Sequence, residues 1–238
     1  MNASAENFGA GRAAVDSAVD SAVDSAREPS RERAERELAL AGTLNPGPWT
    51  EHSRFCALAC EKIAEKIPSL DADRAYVFGL LHDIGRRGGI FQERHLIEGW
   101  RYCMQFGWTK LAQICISHAF MIRDIAAGVG KLDVSAEDVA FLKAFLERAE
   151  YDDYDRLVQL CDGLALPRGF CFLETRIIDV ALRYGVPAPS LARWRRLFEI
   201  KERFEAEIGS SIYELLPGEK FPLATHFLGG NGAAGAPR

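Results

Sequence analysis

The sequence predicts an all-α fold. Through most of residues 44–218, apolar side chains recur at steps of three and four, the spacing that places them on one face of a helix. No run of six residues alternates apolar and polar side chains between hairpin-type turns, as a half-exposed strand would. Hydrophobic residues make up 48% of the chain and charged residues 26%, which favours a globular domain over a disordered chain. We therefore expect a helical bundle with flexible N- and C-terminal tails.

The first two predicted helices each begin at a residue that can cap a helix. Thr50 can cap a helix whose apolar stripe runs through residues 55–63. Asp71 can cap the next helix, which contains the run AYVFGLLHDIG and ends at Gly85. Both capping side chains can accept a hydrogen bond from the free N–H groups of the first turn.

The remaining helices are predicted mainly from their apolar stripes. A third helix is expected over about residues 91–107. Thr109 starts a short fourth helix, and Ser135 begins a fifth. Residues 153–164 are expected to form a sixth, with acidic residues in the first turn, where the helix dipole favours them. Two more helices are expected near residues 171–183 and 190–208.

The two ends of the chain differ in composition from its middle. Residues 14–25 repeat AVDS three times. Residues 27–37 alternate charges and could form a lone surface helix, but they have few large apolar side chains to bury. The last ten residues, GGNGAAGAPR, also have nothing to bury. We therefore expect a disordered low-complexity tail over 1–43, a helical domain over 44–218, and a flexible tail over 219–238.

Charge and hydropathy argue against several protein classes. The net charge of −5 does not favour strong binding to nucleic acids or to anionic membranes, which requires a basic surface. No apolar run approaches the roughly 18 residues that a membrane helix needs, and the N-terminus lacks the apolar core of a secretory signal. We therefore expect a cytoplasmic protein without membrane association. The sequence does not define the oligomeric state.

The cysteines do not form a metal-binding pattern. Most of the six lie among apolar residues, where cysteine in a reducing compartment acts as a small buried hydrophobe. Cys56 and Cys60 are four residues apart and could bind a metal together. No second pair has the usual ligand spacing, so a zinc-thiolate site is not expected.

Histidines and aspartates near the apolar helix faces are the candidates for chemistry. His82 and Asp83 are adjacent at the end of an apolar helix, where their side chains can approach one ion from two directions. Imidazole combined with carboxylate suits transition metals better than calcium. Asp83 could instead pair with Arg86 or Arg87, and a single buried histidine is more often satisfied by an ordinary hydrogen bond.

The order of these residues along the chain resembles a known family. His52, the His82-Asp83 doublet in the run LLHDIG, and the distant Asp162 are similar to the ligand set of the HD-domain metal-dependent phosphohydrolases. The segments RHLIEGW and ICISHAF, which contain His95 and His118, resemble two further stretches of that family. The resemblance covers about residues 49–165, roughly half of the chain.

The resemblance implies a cleft with one or two divalent transition-metal ions, preferably Fe or Mn, with Mg, Co, Ni or Zn as alternatives. A first ion would be bound by His52, His82, Asp83 and Asp162. Asp83 would bridge to a second ion bound by His95 and His118. The implied activity is hydrolysis of a phosphomonoester or phosphoanhydride by metal-activated hydroxide, with a small phosphorylated substrate such as a nucleotide.

The sequence departs from the family at one position. Many members have Lys three residues after the aspartate of the doublet, whereas this chain has Arg86. Arginine keeps the charge and offers a two-pronged donor for phosphate oxygens, so we expect Arg86 to act with Asp83 in catalysis. The alternative is an ordinary solvated arginine in a loop. No GxSxG signature of a serine nucleophile is present.

Two other functions are compatible with the sequence. A di-iron oxygenase would use the same ligands, because some binuclear HD proteins perform oxygen chemistry. A regulatory module that binds a nucleotide without hydrolysing it would belong to a different class, and loss of ligands would favour it, although all four first-site residues are present. Residues 166–218 contain no motif that indicates a substrate.

Overall fold

The structure, a computed structural model, describes residues 28–216 and is almost entirely helical. Its α-helices are α1 (Arg31–Leu44), α2 (Trp49–Ala64), α3 (Ala72–Leu81), α4 (Arg94–Gln105), α5 (Thr109–Ser117), α6 (Ala136–Arg148), α7 (Asp153–Leu164), α8 (Leu173–Tyr184), α9 (Ser190–Ile208) and α10 (Ile212–Leu215). Short 3-10 helices span Ile84–Gly88 and Ile125–Ala127. Strands β1 (Ala165–Leu166) and β2 (Gly169–Phe170) form an antiparallel hairpin that is too short to produce a sequence pattern. The all-α prediction is confirmed.

Two of the three predicted helix caps are present. Asp71 caps α3 and Ser135 caps α6, each by accepting a hydrogen bond from a backbone N–H of the first turn. Thr50 does not cap α2, because the helix begins one residue earlier and the Thr50 hydroxyl donates to the carbonyl of Gly47. Pro48 precedes α2 with helical backbone angles, and its ring has no N–H that would need a partner. The prediction for Thr50 was therefore wrong.

The N-terminal boundary also differs from the prediction. Residues 31–43 do not form a tail: they lie in α1, which Ser30 caps. Ala34, Leu38 and Ala41 are fully buried in the main hydrophobic core. Leu38 is the only large apolar residue on this buried face of α1. The helix still packs on the core, because the small alanines on either side of Leu38 allow it to approach its neighbours closely.

Two charges of α1 are paired with other helices. Arg31 contacts Glu61 of α2 at 2.5 Å and Asp73 of α3 at 2.8 Å, and Glu35 accepts from Arg54 at 2.6 Å. The helical domain therefore includes α1. The expected disorder of the AVDS repeats and of the GGNGAAGAPR end concerns residues outside the described range.

Close packing between α2 and α3 sets the spacing of the bundle. A Cβ atom at Gly79 of α3 would lie 2.8 Å from the Cα atom of Ala57 in α2, so only glycine allows this approach.

Between residues 28 and 216, no helix has the length and apolar character needed to cross a membrane. All six cysteines are buried and free, as expected for small apolar residues.

Candidate metal centre

All six metal ligands predicted from the sequence lie together beside one cleft. They come from five helices or helix ends, and each is buried or half-buried. These residues are His52 (α2), His82 and Asp83 (the end of α3), His95 (α4), His118 (the end of α5) and Asp162 (α7). Helix packing thus brings together six residues that are far apart in the sequence. That these residues bind a metal remains a prediction.

The first group of ligands consists of His52, His82 and Asp162. The Nε2 atom of His52 lies 2.9 Å from Oδ1 of Asp162, and the Nε2 atom of His82 lies 3.8 Å from the same oxygen. One potential ligand atom from each of the three residues lies within 4.8 Å of the other two. Two imidazoles and one carboxylate at these separations can contact one transition-metal ion.

The second group is arranged around the carboxylate of Asp83. Its Oδ1 atom is 3.1 Å from Nε2 of His95 and 3.6 Å from Nε2 of His118. Its Oδ2 atom is 3.8 Å from Nε2 of His82, which also belongs to the first group. Asp83 is therefore placed between the two groups, as a bridging carboxylate must be.

The backbone holds every one of the four histidines with Nε2 towards this cluster. In each ring the Nδ1 atom lies at hydrogen-bond distance from a backbone carbonyl, which can only accept. The pairs are His52 with Ala165 (3.1 Å), His82 with Gly79 (2.7 Å), His118 with Ile114 (3.1 Å) and His95 with Gln92. In the neutral form of each ring Nδ1 therefore carries the proton, and the lone pair of Nε2 points towards the cluster, where it can bind a cation.

With Nδ1 protonated, the Nε2 atoms of these rings are hydrogen-bond acceptors, and they face carboxylate oxygens, which are also acceptors. If Nδ1 of His52 donates to a carbonyl, its bare Nε2 atom faces a carboxylate oxygen of Asp162 at 2.9 Å. The Nε2 atom of His82 and the Oδ1 atom of Asp83 are buried and have no hydrogen-bond partner among the described residues. Buried polar atoms are rarely left unpaired, so the residues present fit a bound cation.

The two carboxylates of the cluster are held in their charged form. Burial opposes the charge on Asp162, but the contact with the His52 ring, when Nε2 of that ring carries a proton in place of a cation, holds the pKa of this carboxyl well below its usual range. Burial also opposes the charge on Asp83, but Arg86 and His95 hold its pKa well below the usual range as well. Both groups can therefore ligate a metal at any physiological pH.

The histidines respond to this negative charge in different ways. Burial, together with the neighbouring His82, lowers the pKa of His118 to about 3, which keeps its Nε2 atom unprotonated. Burial also disfavours a charge on His82, yet Cys56 and the carboxylates of Asp83 and Asp162 raise the pKa of His82 to about 9. The raised pKa of this fully buried imidazole shows that the surrounding groups carry excess negative charge. A divalent cation would neutralise that charge.

Residues 49–166 match the family model of the HD domain. The chain therefore contains an HD domain. All six candidate ligands fall inside the matched segment, and the family is one of metal-dependent hydrolases. Searches among curated proteins and among solved structures found no match for the chain.

The glycine of the HD doublet's LLHDIG run has a steric role. A Cβ atom at Gly85 would lie 1.9 Å from the carbonyl oxygen of His95 and 2.4 Å from the backbone nitrogen of Gly99. The backbone after Asp83 therefore touches the backbone of α4. This contact brings the carboxylate of Asp83 to His95, so Gly85 positions the second ligand group.

Arg86 lies against the ligands of the HD domain. Its Nε atom donates to Oδ2 of Asp83 at 2.6 Å, and its Nη2 atom lies 3.3 Å from Nε2 of His95. The neighbouring Arg87 instead covers the ring of Tyr102, with its guanidinium carbon 4.0 Å from the ring centroid. Arg86 is thus not a solvated loop residue, and it also lines the cleft.

The cleft beside the HD ligands has a volume of about 420 Å³, within the range of small-molecule sites. Several cleft residues were missed by the sequence analysis. Glu93 has a buried Oε2 atom without a hydrogen-bond partner among the described residues. Arg176 and Arg193 lie on α8 and α9, outside the matched HD segment. The sequence predicts a helix near residues 171–183, but nothing in it indicates which face of that helix lines the cleft.

Proposed function

We propose that this protein is a metal-dependent phosphohydrolase that cleaves a phosphomonoester or phosphoanhydride of a small molecule, with a nucleotide as the expected substrate. The observation that carries the proposal is the convergence of four histidine Nε2 atoms on two ionised carboxylates beside a 420 Å³ cleft. The presence of an HD domain supports it.

The ligands divide into two groups that share Asp83. His52, His82 and Asp162 would bind a first ion together with Asp83, and Asp83 with His118 and His95 would bind a second. When bound, divalent ions would activate water as the nucleophile and offset the charge on the phosphoryl oxygens. The fixed Nδ1–carbonyl hydrogen bonds keep the imidazoles oriented for this task without reorganisation.

Arg86 is the residue that we assign to the substrate phosphate. Without a cation its guanidinium is paired with Asp83. A cation on Asp83 would compete for that carboxylate, which would leave Arg86 able to face the cleft that it already lines. Its two-pronged donor geometry matches two oxygens of a phosphoryl group, whose negative charge grows in the transition state.

The rest of the cleft favours an anionic ligand in spite of the net charge of −5. Arg86, Arg176, Arg183 and Arg193 all line it. A local concentration of arginines determines the potential inside a cleft more strongly than the charge of the whole chain does. A small phosphate compound therefore suits the site better than a neutral organic substrate of an oxygenase.

The test is phosphate release by protein that has been stripped of metal and reloaded. The full chain would be treated with chelator, loaded with Mn²⁺ or Fe²⁺, and assayed with mononucleotides, dinucleoside polyphosphates and simple phosphate esters. We expect release that requires the metal and is lost in Asp83→Asn but not in Glu147→Gln, an exposed control on α6. If the loaded protein hydrolyses none of these compounds, the proposal fails, and oxygen uptake becomes the next assay.

A further inference from the structure

Helices α8 and α9, which lie outside the matched HD segment, form one wall of the cleft. From α8, the lining residues are Arg176, Ile177, Val180, Arg183 and Tyr184. Their spacing places them on one face of the helix. From α9, the wall includes Arg193, Trp194 and Leu197. The part of the cleft that these two helices line is therefore both apolar and cationic.

The positive charges on this wall are unequally neutralised. Arg183 contacts Oδ2 of Asp179 at 2.5 Å, while Arg176 is 3.6 Å from the same oxygen. Arg193 has no ion pair and no side-chain hydrogen bond among the described residues, although it is half-buried. The carboxylate of Asp179 is thus shared by Arg176 and Arg183, and no carboxylate contacts Arg193 among the described residues.

A half-buried arginine without a counter-ion is an energetic cost that a ligand can remove. Burial lowers the pKa of the Arg193 guanidinium below its ordinary value, and the charge of Arg176 adds to this effect, while Glu93 and Asp162 act in the opposite direction. The neighbouring Trp194 contributes a buried indole N–H without a hydrogen-bond partner among the described residues. Two adjacent donors of α9 are therefore left available.

We propose that Arg193, supported by Arg176, binds a second anionic group of the substrate, apart from the phosphate that is hydrolysed at the metal ligands. The inference rests on the proposed function and narrows its substrate class to phosphate compounds that also carry another phosphate or a carboxylate. Arg86 and Arg193 line the same cleft, so a single molecule can contact both. Arg193 is in this view a specificity residue that α9 adds to the HD domain.

Non-hydrolysable ligands test this directly. The metal-loaded full chain would be titrated calorimetrically with alkane-α,ω-bisphosphonates, from propane to hexane, and with the alkylphosphonate of equal length. We expect at least one bisphosphonate to bind about tenfold more tightly than its matched monophosphonate, the usual order of magnitude for a hydrogen-bonded charge. Arg193→Gln should remove this preference, and Arg193→Lys should retain part of it.

The matched control is Arg195→Gln, an exposed arginine of the same helix that does not line the cleft. It should keep the full preference. The proposal is overturned if no chain length shows a preference, or if the preference persists in Arg193→Gln.

A second assay separates this inference from the proposed function. Phosphate release would be measured from the corresponding alkyl phosphates and alkane bisphosphates. No release, with the bisphosphonate preference retained, would refute hydrolysis and support the anion subsite. Release at equal kcat/KM from both substrates, unaffected by Arg193→Gln, would refute the subsite and leave hydrolysis standing.

Discussion

The Nε2 atom of His52 lies 2.9 Å from Oδ1 of Asp162, although these residues stand near opposite ends of the HD segment. The other ring nitrogen of His52 is hydrogen-bonded to the carbonyl of Ala165, three residues beyond Asp162. One short stretch of chain thus supplies both the neighbouring ligand and the group that sets the orientation of the ring. The pair therefore joins the two ends of the segment at the proposed metal.

Asp162→Asn should remove the first ion. The substitution keeps the shape of the side chain but removes the charge that faces His52, so metal affinity should fall by about 100-fold or more. Metal content after dialysis, measured by mass spectrometry, provides the test. Asp153→Asn is the control, because Asp153 lies in the first turn of the same helix and pairs with Arg203 at the surface. Equal metal content in Asp162→Asn and the wild type would remove Asp162 from the ligand set.

His118→Ala should remove the second ion and spare the first. Its Nε2 atom is 3.6 Å from Asp83, and its low pKa keeps it ready to bind a metal. We expect the saturated content to fall from about two ions per chain to about one. A wild-type protein that saturates near one ion, with both His95 and His118 intact, would contradict the binuclear arrangement.

Arg86→Ala should slow phosphate release by roughly 100-fold without changing metal content, because a positive charge next to the phosphoryl group is lost. Arg87→Ala is a close control, since Arg87 covers Tyr102 rather than the ligands. The comparison uses kcat/KM and metal content of both variants. If Arg86→Ala is as fast as the wild type, the phosphate contact must be assigned to another residue.

Leu38→Ala should destabilise the fold, which tests whether α1 belongs to the domain. Leu38 is fully buried, so its truncation should cost about 2–5 kcal/mol of unfolding free energy. Leu40, on the same helix, is 50% exposed, and Leu40→Ala should cost less than about 0.5 kcal/mol. Urea denaturation measures both values. Similar midpoints for the two variants would mean that α1 does not pack on the core in solution.

The sequence was sufficient to predict the all-α fold and to select the six candidate ligands that the structure brings together, for a physical reason. Helical periodicity reports which residues are buried, and polar residues at buried positions, such as Asp83 and Asp162, require a partner that can be inferred. The cap at Thr50 was misassigned because its hydroxyl can donate as well as accept, and the residues on its N-terminal side decide which it does.

The N-terminal helix and the arginine wall could not be predicted, because both depend on tertiary packing. The stripe of Ala34, Leu38 and Ala41 is too weakly apolar to be distinguished from a charged tail until α2 and α3 supply its ion-pair partners. Arg176 and Arg193 resemble ordinary surface residues of amphipathic helices. Only the packing of α8 and α9 beside the cleft brings them into one site with the candidate ligands.

Metal-dependent phosphate release tests the central claim most directly. Protein stripped with chelator should release no phosphate from any member of the substrate panel, and addition of Mn²⁺ or Fe²⁺ should restore release in the wild type but not in Asp83→Asn. Phosphate release that continues in fully stripped protein, or that is the same in Asp83→Asn after metal loading, would contradict the assignment of these residues to a metal-dependent phosphohydrolase site.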